Sequence, residues 1–187
     1  MEKICVFGAS SEKIDKTYLS SAESLGKALA KHGYGVVFGA GKYGVMGAVA
    51  RGVIAENGRL IGVSPKFFIE MDVLVDNAEL VFTDTMRERK AYMESEADAF
   101  IVCAGGIGTF EEFFEVLTLK QLGRHAKPII IYNVNGYYNH MIEMLNASVR
   151  ENFMSDNVNK LYDVAESEEE VFSKLNSYRA FSYNKYD

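Results

Sequence analysis

The 187-residue sequence predicts an α/β protein, a parallel sheet wrapped by helices in a single domain. Three observations predict it. Short apolar runs rich in β-branched residues alternate with helix-period segments from end to end. Three of those runs end in small-residue turns that pass directly into a helical pattern. The chain is 48% hydrophobic, enough at this length for one sizeable core.

The expected strands are "KICVFG", "GVVFGA", "RLIGVS", "ELVFTD", "AFIVCA" and "PIIIYN", with "LYDVAE" as a seventh. Between them, Leu19, Ala22, Leu25 and Leu29 share one helical face, as do Met46, Val49, Ala50, Val53 and Ile54. Tyr138, Met141, Ile142, Leu145 and Val149 repeat the pattern, and His32 before Gly33 reads as a helix C-cap. Ser167 and Glu170 have capping-box spacing and start a last helix through Val171 and Leu175. The domain is expected over 1–177, with 178–187 as an aromatic-rich tail that either docks or stays disordered. Pro65 to Asn77 lacks periodicity; its Phe67–Phe68 pair belongs either to core packing or to a loop flanking a site.

Composition excludes several functions. A net charge of -6 with no basic block argues against nucleic acid as a partner, while a small anion needs only local amides and one or two cations. Cys5 and Cys103 both lie in apolar runs and read as buried thiols of a reducing cytoplasm. Neither a signal peptide nor a membrane span is expected. His32, His125 and His140 form no metal-ligand spacing with a cysteine, so no metal is expected. Neither G-x-G-x-x-G nor G-x-x-x-x-G-K-[ST] occurs, which disfavours an ordinary NAD enzyme or a P-loop ATPase.

The chemistry is expected at the three turns, "VFGASS", "VFGAGKYGVMG" and "VCAGGIGT". In a parallel sheet all three lie at the carboxyl edge and open helices whose first amides are unpaired. Gly105, Gly106 and Gly108 would let the backbone approach a phosphate and adopt positive φ. Thr109 and Glu112 have capping-box spacing, so Glu112 is either a structural third helical residue or a carboxylate placed for chemistry. Its side of the helix also carries Leu119 and Leu122, apolar surface that a second subunit would cover. Arg87, Arg89 and Lys90 open another helix, where cations are unfavourable without an anion. The alternative is a solvated face on which Arg89 and Lys90 pair with Glu94.

Together, "MRERKAYM", "CAGGIGTFEE" and "QLGRHAKPIIIYNVNGYYN" resemble the LOG ("lonely guy") family of cytokinin riboside 5'-monophosphate phosphoribohydrolases, once widely labelled lysine decarboxylases. The likeness runs from "CVFGASS" to about Met154. It implies a Rossmann-like fold, a homodimer, and hydrolysis of a nucleoside 5'-monophosphate to free base and ribose 5-phosphate without a cofactor. It implies Arg89 and Glu112 as the catalytic pair, and Gly105, Gly106, Gly108 and Thr109 as the phosphate loop with Met86 and Lys90 nearby. Ala104, Arg87 and Ala40 stand where the family commonly has Pro, His and Gly. These departures bear on substrate preference: Ala104 would loosen the loop, and the Ala40 methyl would narrow the pocket. A general nucleoside monophosphate nucleosidase and a non-catalytic nucleotide or cofactor carrier are the alternatives.

Overall fold

A computed structural model describes residues 2–181. Seven strands form one all-parallel sheet: β1 (Lys3–Phe7), β2 (Gly35–Phe38), β3 (Leu60–Pro65), β4 (Glu79–Thr83), β5 (Ala99–Val102), β6 (Ile129–Tyr132) and β7 (Asp163–Ala165). All seven expected strands are present. Their order, β4-β3-β2-β1-β5-β6-β7, makes β1 the central strand from which the chain runs outward one way and then the other. Six α-helices flank them, α1 (Lys16–Lys31), α2 (Gly44–Ala55), α3 (Met86–Glu96), α4 (Ile107–Gln121) and α5 (Asn139–Arg150) between strands and α6 (Glu168–Ser177) after β7.

Alternation along β1 sends Ile4 and Val6 to one core, and Cys5 and Phe7 to the other. The first core packs α1, α2 and α6 against the sheet; the second packs α3, α4 and α5. The sheet is thus buried on both faces, which is why its inner strands read as unbroken apolar runs. Because the order reverses between β1 and β5, the turns leaving those strands diverge to opposite faces and leave a crevice between them. The amides of Cys103 and Ala9 donate to Phe7 O at 2.9 Å and Ala104 O at 3.1 Å, tying the two turns together beneath it.

The expected helix stripes hold with one extension. On α2 the buried set is Val45, Ala48, Val49, Ala50 and Val53, wider than a single stripe, because α1 lies directly over it. Their contact is backbone-close: a Cβ at Gly52 would stand 2.1 Å from Glu23 O. His32 caps α1, its Nδ1 2.8 Å from Ala28 O. Ser167 Oγ accepts from Glu170 N at 3.2 Å, starting α6 as expected. The first tail residues dock: Tyr178 OH donates to Ala126 O at 2.7 Å, and Phe181 packs on the second core, while 182–187 lie outside the described residues.

Gly52→Ala is expected to cost about 2 kcal/mol, since the backbone it would strike cannot turn aside as a side chain would. Urea unfolding of the variant and of the wild type measures it.

Candidate active site

The turns after β1, β2 and β5 converge, as their sequence similarity led us to expect, on a cavity of about 640 Å³. Gly8, Ser10 and Ser11 form one wall, Gly39, Gly41 and Tyr43 a second, and Gly106, Gly108 and Thr109 a third. Ser64, at the end of β3, and Arg89 and Glu112 also line it. Phe68, Val73 and Leu74 cover it, so the aperiodic segment flanks the site, with Phe68 facing inward and Phe67 exposed. That cover is fastened to the β2 turn: Lys42 N donates to Val73 O, Val75 N donates to Ala40 O, both at 2.9 Å, and Lys42 Nζ lies 2.7 Å from Asp72 Oδ1.

The start of α4 differs from the expected capping box. Gly106 is the N-cap, with no side-chain cap hydrogen bond, and the helix begins at Ile107. Thr109 is therefore already inside the first turn, and Glu112 one turn further, so neither caps the other. Phe110 N donates to Gly106 O, leaving the amides of Ile107, Gly108 and Thr109 as the unpaired donors of a helix start. An uncapped N-terminus of a fifteen-residue helix that opens into a cavity is a strong anion position.

The three glycines also divide their work differently from the sequence expectation, since none has positive φ. Gly106 and Gly108 are exposed at the cavity, with nothing within 4 Å of a Cβ placed on them. Gly105 is buried behind it; a Cβ there would stand 2.1 Å from Thr109 Oγ1. Two tyrosines whose role at the site the sequence reading missed, Tyr138 being placed there only on a helix stripe, brace this turn: Tyr138 OH donates to Cys103 O and Tyr137 OH to Gly105 O, each at 2.7 Å. Their pairing in "GYYN" was the available signal. With its carbonyls tied back on both sides, the turn does not depend on a proline at Ala104.

Arg89 leaves α3 on its buried side. Its Nε donates to Val63 O at 3.0 Å and its Nη1 lies 3.4 Å from Glu112 Oε1. Both side chains are nearly enclosed, 9% and 11% exposed. A Cβ on Gly39 would stand 1.8 Å from Arg89 Nη2, so that glycine makes room for the guanidinium. Burial pushes the Glu112 carboxyl up to about 7, against the opposing pull of Arg89. A carboxyl half-ionised near neutrality can take up or release a proton in that range.

Of the residues singled out from sequence, Met86, Arg89, Gly106, Gly108, Thr109 and Glu112 line the cavity; Gly105 and Lys90 do not. Arg89 and Lys90 do not pair with Glu94. Lys90 instead bridges Glu111 and Glu115 on α4. The cations at the start of α3 are offset by a capping box that the sequence reading passed over, in which Thr85 Oγ1 accepts from Glu88 N and Glu88 accepts from Thr85 N. Arg87 is exposed and lies off the cavity lining. The Ala40 methyl does not narrow the cavity; it points at Gly62 within the sheet, from a backbone with φ of 61°. Among the described residues no group of three or more His, Cys, Asp or Glu is placed to hold a metal ion, and no helix is long and apolar enough to cross a membrane.

Fold and site together define a doubly wound nucleotide-type α/β protein with an anion cradle beside a buried carboxylate–guanidinium pair. A family model described as "Possible lysine decarboxylase" matches residues 46–175. Over 178 residues the chain is 36% identical to a "probable cytokinin riboside 5'-monophosphate phosphoribohydrolase" of Oryza sativa subsp. japonica, covering 95% of this chain and 84% of that one. It is 37% identical over 177 residues to a cytokinin riboside 5'-monophosphate phosphoribohydrolase of Arabidopsis thaliana, covering 94% and 82%. The chain belongs to the LOG family. Among solved structures, the molybdenum cofactor binding protein of Rippkaea orientalis superimposes with a TM-score of 0.73 at 22% identity, covering 94% of this chain and 96% of that one. The Moco carrier protein of Chlamydomonas reinhardtii gives 0.69 at 21%, with the same coverage. At such identity these two share the fold alone. The decarboxylase description does not fit the site. Pyridoxal phosphate is held on a lysine, and among the described residues no lysine lines this cavity.

Because the folded-state pKa of Glu112 lies above its unfolded value of roughly 4.3, its contribution is complete below the lower value and is lost as pH rises through about 7. Glu112→Gln is therefore expected to gain about 2 kcal/mol relative to wild type between pH 5 and pH 8. Chemical denaturation at the two pH values checks it.

Proposed function

We propose that the protein hydrolyses the N-glycosidic bond of N6-modified adenosine 5'-monophosphates, releasing the free base and ribose 5-phosphate. The observation that carries this reading is the placement of the Arg89–Glu112 pair in the same cavity as the uncapped start of α4. The 5'-phosphate accepts hydrogen bonds from the amides of Ile107, Gly108 and Thr109. This fixes the ribose so that its C1' faces Glu112, one helical turn along. As the C1'–N bond breaks, positive charge develops on the ribose and the ionised Glu112 stabilises it. The base leaves with the bonding electrons and takes a proton from solvent, while Glu112 takes a proton from the water that attacks C1' and then releases it to solvent, so that the net change is the addition of one water. Arg89 holds the carboxylate and orients the substrate.

The named activity of the relatives supports this reading, and so do the apolar Met46, Phe68 and Leu74, which suit a base with an apolar N6 substituent. We take the protein to act as a cytoplasmic homodimer without a cofactor. Ile107, 86% exposed at the cavity rim, and Leu122, the C-cap at the far end of α4, present apolar surface for a second copy to cover.

Incubation with isopentenyl-AMP and with AMP, followed by chromatography, tests the reading. Release of isopentenyladenine with little adenine is expected, falling at least about 100-fold in Glu112→Gln and Arg89→Ala. Equal release from both would indicate a general nucleosidase, and binding without release a carrier. With Glu112 acting as the ionised base, kcat/KM is expected to rise with pH through about 7.

A further inference from the structure

Behind Glu112, on the side away from the substrate cavity, lies a small crevice lined by Phe7, Lys90, Glu94, Glu112 and Glu115. Lys90 is the cation within it. Its side chain is 12% exposed, its Nζ lies 2.6 Å from Glu115 Oε2, and it also ion-pairs with Glu111. Those two carboxylates flank Glu112 on α4, one residue before it and three after. Lys90 is absent from the lining of the cavity where the phosphate would sit.

We propose that Lys90 is a positioning residue that acts on the reaction through Glu112, as the cation neutralising Glu111 and Glu115 behind it, and that it never touches the substrate. The inference rests on the hydrolase reading above. It replaces the contact near the phosphate that the family resemblance implied.

The charges around Glu112 make this role necessary. From α3 it faces Arg89, Lys90 and Glu94; on α4 it neighbours Glu111 and Glu115. From β1 and from the turn before α5 it meets Cys5 and Tyr138, which burial pushes upward, so they stay neutral. Arg89 and Lys90 oppose the rise of the Glu112 pKa, whereas Glu111 and Glu115 promote it. Without Lys90 the two flanking carboxylates would be opposed by Arg89 alone, and a group needed as a carboxylate would remain protonated to higher pH. Lys90 itself stays charged: burial pulls its pKa down, but the bonds to Glu111 and Glu115 raise it above the ordinary value. The same contacts join α3 to α4, the helices before and after β5, which fixes the turn of α4 that carries Glu112.

The test is the pH profile of isopentenyl-AMP hydrolysis for wild type, Lys90→Met, Lys90→Arg and the triple variant Lys90→Met/Glu111→Gln/Glu115→Gln. In Lys90→Met the acid limb of kcat/KM should move up by roughly one pH unit, which lowers activity about tenfold near pH 6.5 and lets it recover above pH 8, with KM nearly unchanged. Lys90→Arg and the triple variant should return the limb toward its wild-type position. Glu94 titrates in the same range, pushed to about 7 chiefly by burial, so Glu94→Gln is included and should leave the Lys90→Met shift in place. A raised KM with an unmoved limb would make Lys90 a phosphate ligand and overturn the proposal. Should Lys90→Met fail to fold, Glu115→Gln gives the mirror result, a limb moved to lower pH; an unmoved limb there refutes the proposal. Carbon-13 NMR titration of the Glu112 carboxyl in the same variants reads the shift without turnover. An inactive wild type would therefore count against the hydrolase reading, while this titration still decides the role of Lys90.

Discussion

A guanidinium enclosed by protein must be held, because taking a charge out of water costs more than almost any single contact returns. Arg89 is such a group, and much of the site can be derived from the need to satisfy it. Val63 within β3 gives it a carbonyl, Gly39 just after β2 gives it space, and Glu112 on α4 gives it a counter-charge. Three parts of the chain far apart in sequence are thereby fixed around one side chain at the carboxyl edge of the sheet. The arrangement is only partly relaxed: burial still pushes Glu112 up to about 7. A carboxyl kept near its ionisation midpoint carries a cost to stability, and such costs concentrate where chemistry is done.

In the function we propose, the two ends of a nucleotide place opposite demands on one site, and α4 would meet both. Its first turn offers unpaired amides and the positive end of the helix dipole, which favour a phosphate. Its next turn presents Glu112 on the same helix, so the distance from phosphate to carboxylate is set by helix geometry instead of by a mobile loop. The turn in front of α4 is braced by Tyr137 and Tyr138 and tied to the β1 turn through the Ala9–Ala104 bond. Rigid elements would thus carry both the proposed anion site and the proposed catalytic carboxylate, the condition under which a positioned carboxylate is most effective.

The fold was legible in the sequence because apolar runs and helix stripes are local signals, and all seven strands and the faces of α1 and α2 fall where those signals put them. Site membership was partly legible, since turns at strand ends must gather at one edge. What could not be read was the direction in which a side chain points across the gap between α3 and α4. Lys90 stands next to Arg89 in sequence, yet a helix turns about 100° per residue, and this rotation sends one to the cavity and the other to the acidic crevice behind it. The capping-box pattern at Thr109 and Glu112 misled for a related reason. A spacing rule cannot tell that glycines upstream let the helix begin three residues earlier. Gly105 likewise read as a phosphate-facing glycine, whereas it makes room for the Thr109 side chain.

The most direct measurement of the central claim is a crystal structure of Glu112→Gln with a nucleoside 5'-monophosphate bound. The account predicts the phosphate on the amides of Ile107, Gly108 and Thr109, with C1' within contact distance of residue 112 and Lys90 off the ligand. A phosphate bound elsewhere, or a ribose turned away from residue 112, would contradict it.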